Sequence, residues 1–150
     1  MKKINLNKLF NLRNKVVLIT GSEGKIGSKI SDLYLGLNSK VYGIDLRSKK
    51  KKDNLSSEIY GGSKAALIQL TKYFAILMAK YNIKVNCISP GGIEDKKHSK
   101  YFVKNYCLRV PLNRMGNISD LYGALIYFSG EISNYTIGQN LIIDGGLTAW

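Results

Sequence analysis

A glycine-rich turn between a predicted strand and a predicted helix constrains this chain more than any other feature. The apolar run from Lys15 to Thr20 predicts a strand buried on both faces, as in a parallel sheet. A turn with three glycines follows, and a second strand is predicted from Lys40 to Asp45. Between them, apolar residues recur at helical spacing, at Ile26, Ile30, Leu33 and Leu37. The first third of the chain therefore predicts a βαβ unit.

This turn is suited to holding a pyrophosphate, because glycines let the backbone approach the phosphates at a helix N-terminus. Asp45 closes the second predicted strand, 18 positions after Gly27. A carboxylate there suits the ribose 2′-hydroxyl of NAD and would repel the 2′-phosphate of NADP, although Arg47 nearby would soften that preference. A tight turn with no ligand is the alternative interpretation.

Tyr60 and Lys64 lie four residues apart, which places them on one face of a predicted helix that extends to Tyr81. A free phenol has a pKa of about 10 and is a poor base at neutral pH. A neighbouring ammonium group favours the phenolate and lowers that pKa. Such a tyrosine can exchange a proton with a hydroxyl or carbonyl while a nicotinamide exchanges hydride. The spacing alone is common, so its meaning depends on the rest of the sequence.

The second half predicts further alternating elements. A strand is predicted from Ile83 to Ser89, after a helix stop at Asn82, and a short helix from Tyr101 to Cys107. Ser119 is a predicted cap for one more helix. A last strand is predicted from Gly138 to Asp144.

Composition excludes several classes of protein. The 150 residues favour a single domain, 1–150, and no apolar run approaches the roughly 20 residues of a membrane span. Two cysteines, Cys87 and Cys107, make neither a disulfide scaffold nor a metal site, which favours a reduced cytoplasmic protein. The net charge is +13, but the lysines are scattered apart from the run Lys49–Lys52. Without a nucleic-acid motif, a solvated loop explains this run better than a nucleic-acid partner.

Several motifs together resemble the short-chain dehydrogenase/reductase family. They are Thr20-Gly21-x-x-Gly24-x-x-Gly27, Tyr60-x-x-x-Lys64, Val85-Asn86-Cys87-Ile88-Ser89-Pro90-Gly91, Pro111-Leu112-x-Arg114-Met115 and Gly138-Gln139-Asn140-Leu141-Ile142-Ile143-Asp144-Gly145-Gly146. The C-terminal stretch Asp144–Trp150 and the stretch Ser89–Ile93 resemble members encoded with surface-polysaccharide or flagellin-glycan genes. Lys25 departs from the pattern, since many members have glycine there.

The resemblance implies a role for each matching residue. Tyr60 would be the catalytic acid/base, and Lys64 would lower its pKa and hold the nicotinamide ribose. Asp45 would hold the adenosine ribose of NAD. The cofactor phosphates would lie on Gly21, Ser22, Gly24, Ile26 and Gly27, and the nicotinamide would border Pro90, Gly91 and Ile93.

The resemblance also implies a missing segment, because only 14 residues separate Asp45 from Tyr60. The family has several strand and helix units there, including the substrate-binding serine. Ser56 and Ser57 are instead interpreted as loop or cap residues. The fold expected is a three-layer, Rossmann-like, doubly wound parallel sheet of about four strands. Either the first strand pairs directly with the strand at 83–89, or a partner chain fills the gap.

The activity implied is hydride transfer between NAD and a secondary alcohol or ketone, with a small, sugar-like molecule as the expected substrate. A homo-oligomer formed through the helix from Tyr60 to Tyr81 is implied as well. The alternative is a catalytically inactive relic that binds a nucleotide or a homologous subunit. A nucleic-acid-binding protein rests on the charge alone.

Overall fold

The computed structural model describes residues 5–45 and 57–149. Arg47, Ser56 and the run Lys49–Lys52 lie outside these ranges. The helices are α1 (Leu6–Leu9), α2 (Lys25–Gly36), α3 (Ser57–Ala79), α4 (Lys100–Cys107) and α5 (Tyr122–Ser129). The strands are β1 (Val16–Thr20), β2 (Lys40–Ile44), β3 (Cys87–Pro90) and β4 (Asn140–Ile143). Short 3₁₀ turns lie at Ile118–Leu121 and Glu131–Ser133.

Two helix boundaries and one strand boundary test the predictions from local sequence signals. Asn82 takes a left-handed conformation with φ of 57° just after α3, so the predicted helix stop is confirmed. The predicted cap at Ser119 is wrong. Asn117 caps this segment, and its side chain and that of Asp120 form a reciprocal capping box. The third strand also begins later than predicted, at Cys87, because residues 83–86 form no ladder.

The strands are all parallel, but they form two separate pairs. β1 pairs with β2, from Val16 opposite Lys40 to Thr20 opposite Ile44. β3 pairs with β4 in the same parallel sense. Within the described ranges no ladder joins β1 to β3, so the expectation of direct pairing between them is wrong. The α/β, Rossmann-like fold with four parallel strands is confirmed, with an opening between the two halves of its sheet.

Contacts between α2 and α5 connect the two halves. Tyr34 of α2 is only 5% exposed, and its hydroxyl lies 2.6 Å from the Oγ of Ser129 in α5. The core cluster of Leu12, Ile19 and Tyr34 also packs against Leu125 of α5. Burial raises the pKa of the Tyr34 phenol, so the group stays protonated in the interior. One helix layer therefore covers both strand pairs.

The other face of the molecule, which carries α3, is largely exposed to solvent. Ala75 of α3 is buried, with its Cβ close to Gly138, but Ile76 is 75% exposed. Sheet residues are exposed as well, with Val16 at 68% and Leu18 at 61%. Apolar strands of a parallel sheet are normally covered on both faces, so this side of the molecule exposes surface that such a fold usually buries. None of the helices in the described part is both long and apolar enough to cross a membrane.

We expect Tyr34→Phe to lower the free energy of unfolding by about 1 kcal/mol, because it removes the hydroxyl that pairs with Ser129. Urea denaturation measures this change. Tyr135→Phe is the matched control, since Tyr135 is fully exposed and should tolerate the same substitution unchanged. Equal stability of the two variants would show that the hydrogen bond between the helices contributes nothing.

Candidate nucleotide-binding site

In the glycine-rich turn, the backbone passes very close to the first turn of α2 and to β2. Gly21 has φ of +70°, a conformation that favours glycine. A Cβ on Gly27 would lie 2.1 Å from the carbonyl oxygen of Gly21, so no side chain fits there. A Cβ on Gly43 of β2 would meet the Ser22 side chain at 2.5 Å. The turn is therefore pressed against both its own helix and the neighbouring strand.

Helix α2 begins at this turn with no side-chain cap. Its N-cap residue is Gly24, which has no side chain to accept from the first-turn N–H groups. These amides form the positive end of the helix dipole. The combination of uncapped amides and a turn that excludes side chains fits a phosphate group.

Asp45 lies directly after β2 and contacts the turn. One of its carboxylate oxygens accepts a hydrogen bond of 2.7 Å from the backbone N–H of Glu23. Sequence reasoning placed Asp45 near the turn because β2 follows α2, and the parallel pairing of β1 with β2 brings the two strand ends together. A carboxylate is thus fixed against the glycine-rich turn.

A cleft of about 580 Å³ opens between the glycine-rich turn and the loop after β3. Its lining residues are Ile19, Thr20, Gly21, Gly24, Lys25, Ile26, Gly27, Ile30, Ile93, Asp95 and His98. The structure therefore brings Gly21, Gly24, Ile26, Gly27 and Ile93 together, all of them candidate cofactor-binding residues from the sequence. A contact between two segments distant in the chain creates the cleft.

A smaller cavity of about 210 Å³ adjoins the first one, and Ile93 lines both. Gly91 also lines it, whereas Pro90 ends β3 beside it. The backbone is tightly packed here, since a Cβ on Gly91 would lie 2.8 Å from the Cα of Asp144. The N–H of Gly92 donates to the hydroxyl of Tyr106 at 2.5 Å. These contacts fix the backbone at the end of β3.

Two carboxylates stabilise the loops around the smaller cavity. Arg114 donates to both oxygens of Asp120 at 2.7 and 3.0 Å, and this bonding lowers the pKa of Asp120 to about 2. Asp144 accepts from the hydroxyl and N–H of Thr148 and from the N–H of Gly146, and the Thr148 hydroxyl is the main cause of its lowered pKa. Both carboxylates are therefore held by contacts within the chain.

Tyr60 and Lys64 lie in the first two turns of α3, as their spacing predicted. The Lys64 ammonium is 5.2 Å from the centroid of the Tyr60 ring. Tyr60 is 56% exposed, and neither residue lines either of the two cavities. The structure places this pair together but does not place it in the cleft.

Sequence reasoning missed three residues of the cleft. The sequence marks Lys25 only as a departure from the family glycine pattern, and nothing in it singles out His98. Asp95 was not singled out. No local signal marks these residues, because Asp95 and His98 reach the glycine-rich turn only through the fold.

Comparison with known proteins places the chain in a family. A sequence model of the family described as enoyl-(acyl carrier protein) reductase matches residues 38–148. The chain belongs to the short-chain dehydrogenase/reductase family. The match covers β2 to the segment after β4, which includes Tyr60, Lys64 and the loop after β3.

Individual relatives of this family member are dehydrogenases and reductases. A D-arabinitol 2-dehydrogenase of Scheffersomyces stipitis is 35% identical over 100 residues, which are 61% of this chain and 36% of that protein. An NADH-dependent L-xylulose reductase of Ambrosiozyma monospora is 33% identical over 105 residues, or 65% of this chain and 39% of that protein. The chain thus matches little more than a third of the length of these curated relatives.

A solved structure shows the same fold. The short-chain dehydrogenase of Leptospira borgpetersenii serovar Hardjo-bovis, with bound NAD⁺, superimposes with a TM-score of 0.81 at 25% identity. The alignment covers 99% of this chain and 98% of that chain. The two strand pairs of this family member thus keep a family arrangement despite the opening between them.

We expect Gly27→Ala to lower the free energy of unfolding by about 1–3 kcal/mol, because the added methyl group meets the Gly21 carbonyl. Urea denaturation checks this, with Gly36→Ala at the other end of α2 as the control. A Cβ on Gly36 meets nothing within 4 Å, so this variant should not be destabilised. A tolerated alanine at residue 27 would show that the turn is looser than described.

Proposed function

We propose that this chain is an oxidoreductase subunit that binds NAD and transfers hydride between the nicotinamide and a secondary alcohol or ketone. The observation that carries the proposal is the cleft at the uncapped start of α2, with Asp45 beside it. Family membership supplies the reaction type. The bound nicotinamide would supply the hydride acceptor or donor.

Residues of this chain would bind the cofactor and transfer the proton. Backbone amides of residues 21–27 would hold the diphosphate, and Asp45 would accept from the adenosine ribose. Pro90, Gly91 and Ile93 would border the nicotinamide ring. Tyr60 would give a proton to a carbonyl oxygen or take one from a hydroxyl, and Lys64, whose ammonium lies 5.2 Å from the centroid of the Tyr60 ring, would hold the nicotinamide ribose.

NAD is favoured over NADP in this proposal. A carboxylate beside the ribose accepts from a 2′-hydroxyl, but it repels a 2′-phosphate. The bonding of Asp45 to the Glu23 amide supports such a position. One relative is named as NADH-dependent, and solved neighbours carry NAD⁺ or NADP, so the preference for NAD rests on Asp45.

The substrate is proposed to be a small polar alcohol or ketone. Relatives named for D-arabinitol and L-xylulose support a sugar-like substrate class. The resemblance to surface-polysaccharide and flagellin-glycan members stays a prediction from Ser89–Ile93 and the C-terminal stretch. A cytoplasmic location is proposed with it, because NAD-linked metabolism and two free cysteines suit a reducing compartment.

A homo-oligomer through α3 is part of the proposal. A stable dimer buries about 1,600 Å² in total. Tyr73 at 61% and Ile76 at 75% exposure make α3 the apolar surface available for contact. Sedimentation velocity tests this, and a monomer at micromolar concentration would contradict it.

The divided sheet favours a second candidate function. Tyr60 is exposed and lines neither cavity, and β1 and β3 lack mutual pairing in the described ranges. A chain in this state would bind a nucleotide or a homologous subunit without turning over substrate. The two candidates share the cleft and differ only in catalysis.

We expect calorimetric titration to show saturable NADH binding that weakens about tenfold or more in Asp45→Ala, the loss typical of a charged hydrogen bond. Asp32→Ala is the matched control, since this carboxylate lies on the exposed side of α2 and should leave the affinity unchanged. No NADH binding by a folded chain would refute the enzyme and the nucleotide-binding form of the second candidate, and would leave only the binding of a homologous subunit.

Turnover separates the two candidates. If the chain is an enzyme, oxidation of a polyol with NAD⁺ should fall at least about 100-fold in Tyr60→Phe, which removes the proton-transferring group. Tyr73→Phe on the same helix, at similar exposure, should keep full activity. NADH binding without any turnover by the unmodified chain would instead establish the non-catalytic candidate.

A further inference from the structure

Lys25 connects the two walls of the cleft. It is the first residue of α2, and its ammonium donates to the backbone carbonyl of Glu94. The same ammonium lies 3.2 Å from a carboxylate oxygen of Asp95. The loop after β3 is therefore tied to the glycine-rich turn by a charge pair at the mouth of the cleft. Both side chains remain partly exposed, so a ligand can reach them.

Asp95 is held in place by its own loop. Its second carboxylate oxygen accepts a hydrogen bond of 3.0 Å from the N–H of Lys97, and its carbonyl accepts from the N–H of His98. The Lys97 amide and then Lys25 lower the pKa of Asp95, which is therefore charged at neutral pH. The cleft thus contains one fixed negative charge beside the site that fits phosphate.

His98 provides a second observation at the same cleft. It lines the cleft beside Asp95, and its Nδ1 is buried. In the part of the chain that the structure describes, this nitrogen has no hydrogen-bond partner. A buried ring nitrogen without a partner is unfavourable.

We propose that Lys25 binds the diphosphate of a nucleotide, and that Asp95 forms an ion pair with Lys25 in the absence of this ligand. A nucleotide diphosphate must therefore displace the Asp95 carboxylate from Lys25 to bind. The inference rests on the proposed binding of a nucleotide in this cleft. A diphosphate carries negative charge that attracts Lys25 and repels Asp95. The pair therefore sets the affinity: Lys25 strengthens diphosphate binding, and Asp95 weakens it both by repulsion and by competition for Lys25.

The competition makes a distinctive prediction about coupling. Asp95→Asn keeps an acceptor for the Lys97 amide while removing the charge, so the loop should retain its fold. It should tighten binding about fivefold, and Lys25→Met should weaken binding about tenfold, in line with charged contacts at partly exposed sites. Asp95→Asn should raise the affinity by a smaller factor in a chain that already has Lys25→Met, because there it removes only the repulsion of the diphosphate by Asp95 and not the competition for Lys25.

The experiment is calorimetric titration of the whole chain and these three variants with inorganic pyrophosphate and, separately, with NADH. Lys29 and Asp32 supply the matched controls. They form an ion pair of the same 3.2 Å length on the same helix but outside the cleft. Lys29→Met and Asp32→Asn make the same changes in net charge and should leave both affinities within about twofold. Circular dichroism confirms that every variant is folded.

The outcomes separate this inference from the proposed function. One outcome is that pyrophosphate binds most tightly to Asp95→Asn, less tightly to the unmodified chain and least tightly to Lys25→Met, while NADH does not bind. This outcome would support the role of the charge pair and refute the proposed binding of a nucleotide. NADH binding that is the same in all variants would refute the charge pair alone. Three outcomes would each overturn the inference. The first is that Asp95→Asn does not bind pyrophosphate. The others are that Asp95→Asn changes the affinity equally with and without Lys25, or that the control substitutions change the affinity as much as those at Lys25 and Asp95.

Discussion

The packing of α2 against α5 is the contact on which the rest of this structure depends. The two strand pairs share no ladder in the described ranges, so backbone hydrogen bonding does not unite them. The buried Tyr34, its bond to Ser129 and the adjoining apolar cluster provide that connection. The glycine-rich turn belongs to one half, and the loop after β3 belongs to the other. The cleft lies between them, and the contacts of α2 with α5 join the two halves away from the cleft, while Lys25 joins them at its mouth.

Within that frame the candidate site combines a general phosphate-binding geometry with a feature particular to this chain. An uncapped helix start and a turn with no space for side chains are suited to any phosphate group. Lys25 and Asp95 add a pair of opposite charges across the mouth. The lysine at position 25, where many family members have glycine, therefore gives the cleft a positive group. The Asp95 carboxylate of the loop after β3 competes with a ligand for that group.

The divided sheet explains why cofactor binding and catalysis must be judged separately. The cleft residues lie on the turn, β1 and the loop after β3, all of which the structure brings together. Tyr60 and Lys64 lie on α3, whose apolar surface is largely uncovered. A general acid must reach the reacting oxygen before its pKa matters. Association through α3 would change the surroundings of this pair without changing the phosphate site.

The local elements and the family can be predicted from the amino-acid sequence. The βαβ unit, the stop at Asn82, the pairing of Tyr60 with Lys64 and the position of Asp45 all follow from short-range spacing. Such features depend on periodicity and turn chemistry within a few residues. The lack of pairing between β1 and β3, and the contact of the Asp95 loop with the turn, emerge only from the folded chain. These outcomes depend on which distant segments fill the space between two strands, and no local pattern records that.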